Sequence, residues 1–368
     1  MNDVTALVFG GGGARGIAYS GALFEMVRRG LDFSKLKICA GTSIGALFAA
    51  MTALNICPHA MMRKTRSREL SEMLKPDFRA MQTLFSTWGL NSAEKLRTWI
   101  SDIVFDLTGR RKLTFQELFD LRDVQLVIVV TNLNYNRAEY WSHKNHPDRV
   151  IVDSICTSMA LPPLFGPTVE CVDTLRTYTH RNGVPTQSAR VGDVDRRDGR
   201  VTTVTAVYDN GGTIETKSSE RVLYVDGGLR DNFPMSISDL PSDPRCVVGL
   251  KVDWRYTGEW EIASFDKFCA RIAYCTLTTA DSALMARLDI GRESSVCACD
   301  VGDVSSIDFT MDDAAVEQLV EKGRLAAHRF LSRNATAADP RPRDCAEARL
   351  LATSLATGTD AVCDVPDI

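Results

Sequence analysis

Three short stretches hold residues that can do covalent chemistry. The first is Gly41-Thr42-Ser43-Ile44-Gly45, a serine between glycines at GxSxG spacing. Apolar runs precede and follow it, which fits a sharp strand-to-helix turn that lifts a hydroxyl above a sheet edge. The helix start behind it favours negative charge nearby. Taken alone, the spacing fits equally a tight turn with a capping serine. The second is Gly10-Gly11-Gly12-Gly13-Ala14-Arg15-Gly16, whose successive backbone N–H groups can converge on an anion. Two ligands suit such a loop. Gly11, Gly13 and Gly16 satisfy the GxGxxG of a dinucleotide site, and the same amides can hold the oxyanion of an acyl transfer. The third is Asp226-Gly227-Gly228, an aspartate closing the apolar run 222–225. It fits a general base or a turn cap.

A serine nucleophile needs a base. The histidines are His59, His143, His146, His180 and His328, and none ends a credible core strand. Surface positions are expected for all of them. Asp226 is better placed. Burial raises a carboxylate's pKa, and a direct hydrogen bond to Ser43 would make a two-residue arrangement sufficient.

These residues need elements to hold them. The patterns predict strands over 4–9, 37–40, 124–131, 222–225 and 245–252. They predict helices over 17–29, 44–54, 92–105, 153–160, about 262–288, and 312–331. Strand, turn and helix occur twice in the first 55 or so residues, which implies a mainly parallel α/β sheet flanked by helices. Parallel neighbours would set the glycine loop beside Ser43. The second strand runs into Ala40-Gly41-Thr42-Ser43, without the carboxylate that a dinucleotide's ribose wants. The oxyanion reading of the loop is therefore preferred. A dinucleotide-binding enzyme stays as the lesser alternative. From about 170 to 220 the chain turns polar, and Asp209-Asn210-Gly211-Gly212 is a hairpin turn signal. An inserted β-hairpin region is expected there.

Taken in order, the glycine loop, the GxSxG and the Asp226-Gly227-Gly228 block resemble the patatin-like phospholipase family. The stretch Ser158-Met159-Ala160-Leu161-Pro162-Pro163-Leu164-Phe165 is similar to its small-residue, proline-containing segment. The run from Asp226 to Pro234 is similar to its longer DGG box. The resemblance spans roughly residues 4–253 and implies a three-layer α/β/α fold. It implies a Ser43–Asp226 dyad without histidine, and an acyl-enzyme intermediate in calcium-independent hydrolysis of acyl esters in phospholipids or other lipids. Gly11, Gly12, Gly13, Ala14 and Arg15 map to the oxyanion loop, with Arg15 at the family's basic position. Gly41 and Gly45 flank the nucleophile, and Gly227 and Gly228 follow the base. The alternative use of the scaffold is a non-catalytic lipid- or protein-binding module.

Composition narrows the partners. Of 368 residues, 45% are hydrophobic and 24% charged, and the net charge is -4. Such a balance suits a globular chain and argues against a nucleic-acid partner. A catalytic domain over 4–331 and a C-terminal tail over 332–368 are expected. Eleven scattered cysteines fit free thiols in a reducing compartment better than a disulfide framework. The lone Cys297/Cys299 pair lacks the further ligands of a zinc site, so neither metal nor cofactor is expected. No secretory leader or membrane-spanning run is visible, so a cytoplasmic location is expected. The basic, part-apolar stretch 59–75 allows peripheral contact with a membrane surface. The sequence leaves open an activating protein partner.

Overall fold

The computed structural model describes residues 1–65, 86–91, 93–179, 205–208, 213–253, 294–302 and 311–335, with Leu84, Phe268, Arg271, Ile272 and Cys275 besides. Most of the predicted helix over 262–288 lies outside these residues, though Phe268, Arg271, Ile272 and Cys275 within it are helical; His180, most of 59–75 and the tail beyond 335 lie outside as well. Strand β1 (Ala6–Phe9) leads through a 3-10 turn (Gly13–Ile17) into helix α1 (Ala18–Arg28). Then come β2 (Ile38–Thr42), α2 (Ile44–Ala53), α3 (Pro58–Thr65), α4 (Ala93–Thr108) and α5 (Phe115–Arg122). β3 (Gln125–Asn132), β4 (Arg137–Trp141), α6 (Ile151–Ser158), β5 (Thr168–Thr179), β6 (Thr205–Tyr208) and β7 (Thr213–Asp226) follow. The last described elements are β8 (Val247–Asp253), β9 (Val296–Asp300) and α7 (Asp313–Ala335).

Among the described residues, one nine-stranded sheet runs in the order β5-β7-β3-β2-β1-β8-β9, with β4 added to β3 and β6 to β7. The central strands are parallel, as expected, whereas β4, β5, β6 and β7 pair antiparallel. The sheet is therefore mixed. The turn signal at 209–212 lies outside the described residues, but the strands on either side of it, β6 and β7, pair antiparallel from Thr205 opposite Lys217 to Tyr208 opposite Ile214. β5 adds a second antiparallel ladder to β7, from Thr168 opposite Tyr224 to Thr179 opposite Thr213.

Side chains alternate across a strand, and β1 shows how the sheet is packed. Leu7 and Phe9 enter the main core with residues of α1, α2, α4, α6 and α7. Ala6 and Val8 face a smaller core closed by Phe233, Met235 and Leu240. β3 is buried along its whole length, as its β-branched run predicts. Cys297 and Cys299 alternate with exposed Ala298 in β9, and both are buried in the main core. The described cysteines are free. Among the described residues, no group of three His, Cys, Asp or Glu is arranged to hold a metal.

Several boundaries differ from expectation. β2 carries on through Gly41 and Thr42, because both continue the ladder to β3. α7 reaches Ala335, past the domain limit expected at 331. α5, β4 and β9 were not anticipated. α5 is short, but Thr114 and Glu117 form a reciprocal capping box, a signal present in the sequence.

α1 and α7 pack together around one charged group. Glu25 is fully buried. It accepts two bonds from Arg28, at 3.0 and 2.8 Å, and one from Arg29 at 3.2 Å. His328 of α7 stands 3.4 Å away and Arg324 4.0 Å away. Burial pushes the Glu25 carboxyl up, but the bonds and charge of Arg28, with His328 and Arg29, leave it below its usual range.

Candidate active site

The ladder registers bring the chemistry-bearing residues together. β2 pairs with β3 from Ile38↔Gln125 to Thr42↔Val129. β7 pairs with β3 from Tyr224↔Asn132 to Asp226↔Val130. β4 also pairs with residues 128–132, so it occupies the opposite edge. β2 and β7 therefore lie end to end along one edge of β3. The chain leaves β2 just after Thr42, and Asp226 takes the next place on the ladder.

Ser43 is left at the open end of β2 in a left-handed conformation, φ 55° and ψ −128°. A non-glycine residue there costs about 1–3 kcal/mol and marks a site held by its surroundings. Ser43 is the residue before α2, yet its hydroxyl does not cap that helix. It donates instead to Asp226 Oδ2 at 2.7 Å. The capping alternative is thus not what the structure adopts. For Asp226, both expected contacts occur, one on each oxygen. Oδ1 accepts the Gly228 N–H at 2.8 Å, which holds the turn, while Oδ2 takes Ser43.

Asp226 is 2% exposed. Burial pushes its carboxyl up to about 7, against the pull of the Gly228 N–H and the Ser43 hydroxyl. The groups that act on it are neutral. A base with a pKa near ambient pH is well matched to proton transfer.

The glycine loop sits beside this pair. A Cβ on Gly11 would collide with the Asn232 side chain and lie 3.4 Å from Ser43 Cβ. The Gly11 N–H is taken by the Asn232 carbonyl at 2.8 Å. Gly12 and Gly13 are partly exposed, and their N–H groups have no acceptor among the described residues. Ala14 and Arg15 are buried in the 3-10 turn behind them. Gly41 and Gly45 make the elbow compact: a Cβ on Gly45 would strike the carbonyls of Phe9 and Gly10. Gly227 lies against the Val129 carbonyl just as closely.

The described histidines are engaged elsewhere. His59 meets Phe24 edge-on, His143 stacks on Phe119, and His146 bonds Asn145. Burial holds all three below the usual imidazole range.

Residues beyond the motif cores also build the site. The Thr42 hydroxyl donates to the Asp231 carbonyl at 3.0 Å, and Tyr140 donates to Asp231 Oδ2 at 2.8 Å. Asp231 and Asn232 thereby tie the turn after Asp226 to both β2 and the glycine loop. Their places in the DGG-type run were legible, but not these contacts.

Glycine loop, turn serine and buried carboxylate thus share the carboxyl edge of the parallel strands in a mixed α/β sheet. The chain belongs to the patatin-like phospholipase family, whose model matches residues 7–238. It is similar to protein R571 of Acanthamoeba polyphaga mimivirus, at 28% identity over 45% of this chain and 54% of that protein. It is also similar to the probable lipid hydrolase 463L of Invertebrate iridescent virus 6, at 22% identity over 44% of this chain and 54% of that one. These matches span about half the length of either relative. Among solved structures, VipD from Legionella pneumophila matches 90% of this chain and 67% of its own, with 16% identity and a TM-score of 0.49.

Proposed function

We propose that the protein is a lipid acyl hydrolase in which Ser43 is the nucleophile and Asp226 the general base. The 2.7 Å bond between Ser43 Oγ and a buried carboxylate whose described partners are neutral carries this reading. Asp226 takes the hydroxyl proton as Ser43 Oγ attacks the ester carbonyl. The Gly12 and Gly13 N–H groups receive the oxyanion; one such donor is worth roughly 3–4 kcal/mol. When the tetrahedral adduct collapses, the alcohol or lysolipid leaves with the proton from Asp226, and Ser43 carries the acyl group. Water then gives a proton to Asp226 and its oxygen to the acyl carbon. Ser43 Oγ leaves and recovers the proton. The net reaction is ester plus water to acid plus alcohol.

Base and oxyanion donors come from the chain itself, so turnover is expected without calcium or another cofactor. An acyl lipid presented at a membrane surface is the proposed substrate. Contact with that surface is proposed to be peripheral. Among the described residues no helix is long and apolar enough to cross a membrane. The test is ester cleavage on phospholipid and neutral-lipid panels with EDTA present, comparing the protein with Ser43→Ala. A fluorophosphonate probe should label the protein and not the variant. Equal cleavage by both would overturn the reading. Absence of both turnover and labelling in the folded protein would favour a binding module on the same scaffold.

A further inference from the structure

The site needs its strained serine held in place, and the dyad contact alone does not do this. In a continuing strand, the Ser43 N–H would donate across the ladder toward β3. The chain turns away at Ser43, so the Val129 carbonyl and the Ser43 N–H are left without each other. A third group stands between them. The Ser158 hydroxyl donates to the Val129 carbonyl at 2.6 Å and accepts the Ser43 N–H at 2.9 Å. Ser158 is wholly buried at the end of α6. Its one proton goes to a carbonyl, which has none to give, so its lone pair must face Ser43. The direction of the relay is therefore fixed by chemistry.

The same short segment holds the other partner. The Ala160 carbonyl accepts the Asp226 N–H at 3.0 Å. Residues 158–160 thus grip the backbone of both Ser43 and Asp226, one through a side chain and one through the main chain. A shared mount fixes the spacing between the two more tightly than two separate ones would. In such a pair, a small misplacement is expensive in rate.

We infer that Ser158 is a positioning residue for the nucleophile, acting as a hydroxyl relay that replaces the ladder bond lost where β2 ends. It touches neither substrate nor the reacting atoms. The inference rests on Ser43 being the nucleophile. Removing the hydroxyl leaves two buried backbone groups unpaired and lets the elbow relax. Ser158→Ala should then lower kcat about tenfold to a hundredfold with KM unchanged.

The measurement is kcat per active site, with sites counted by fluorophosphonate labelling run to completion. A merely structural role would lower melting temperature and the count of sites, but not kcat per site. Thr157→Val is the control. Its neighbouring hydroxyl bonds Asp153 and Thr168, away from the site, and its kcat per site should match the unmodified protein. The rate midpoint near pH 7 should stay in place in Ser158→Ala, because Ser158 makes no contact with the Asp226 carboxyl. Ser158→Cys keeps the volume but accepts only weakly. It should fall between the two, and it carries the test if Ser158→Ala does not fold. Unmodified kcat per site in whichever of these variants folds would overturn the inference. If Ser43→Ala still cleaves the ester, it is the nucleophile reading that fails instead.

Discussion

Two fully buried carboxylates in this chain meet opposite treatment. Glu25, between α1 and α7, is surrounded by Arg28, Arg29, Arg324 and His328, and its carboxyl is held low. Asp226, at the sheet edge, has among the described residues a glycine N–H and a serine hydroxyl as its carboxyl's partners, and its carboxyl is pushed up to about 7. Burial opposes charge in both. The partners decide the outcome. Cations around Glu25 make a fixed anion that pins two helices together. Neutral donors around Asp226 leave a group that can take and return a proton. The difference teaches that the same helix-and-sheet packing can lock one charge and leave another free to titrate.

The comparison is most open to attack at Asp226. Asp226→Asn should lower kcat by roughly 10²–10⁴, the usual contribution of a general base, while the variant melts above the unmodified protein at neutral pH. A variant that both cleaves ester normally and melts lower would mean that Asp226 is a structural anion like Glu25. Next is the pH dependence. Below about 7, kcat/KM should fall about tenfold per pH unit as Asp226 protonates. Stability should move the other way. The folded carboxyl binds its proton more tightly than the unfolded one, whose ordinary value is 3.8. Between pH 4 and about 7 the unfolded state therefore holds fewer protons, and stability falls as pH rises. Melting curves across that window should show the fall in the protein and not in Asp226→Asn.

Glu25→Gln should do the reverse of Asp226→Asn. Breaking a buried ion pair costs about 3 kcal/mol, visible in urea unfolding, with kcat per labelled site unchanged. The smallest effect is expected for Arg29→Ala. Its side chain is 44% exposed, against 29% for Arg28. Exposed ion pairs contribute less than about 1 kcal/mol, so a larger loss would show that Glu25 needs every cation around it.

Much of the site was legible because its parts are local. The glycine loop and the GxSxG each lie in one turn, where glycine spacing reports backbone crowding directly. The fully buried β3 was legible from its unbroken β-branched run. By contrast, spacing could not separate the nucleophile from the capping reading of Ser43, nor the base from the turn-cap reading of Asp226, because each pair differs only in what lies across the sheet. Gly11 shows the same limit. Its amide counts toward an anion site in the sequence, yet in the fold it is taken by Asn232. Ser158 lay inside a stretch similar to the family's, but nothing local says that its hydroxyl reaches both β3 and the turn after β2. β4 and β9 were missed because their short, mixed patterns carry no strong period.

The sequence by itself determined the βα start, the two glycine turns, and an aspartate ending an apolar strand. These follow from side-chain period and from the backbone space that only glycine leaves. Tertiary structure decided that β2 and β7 meet end to end on one edge of β3, which puts Asp226 next to Ser43. It also decided that the described groups acting on Asp226 include no cation, and that Ser158 bridges the gap where the ladder breaks. These depend on ladder register and long-range burial, which join residues up to 183 positions apart and leave no trace in local spacing.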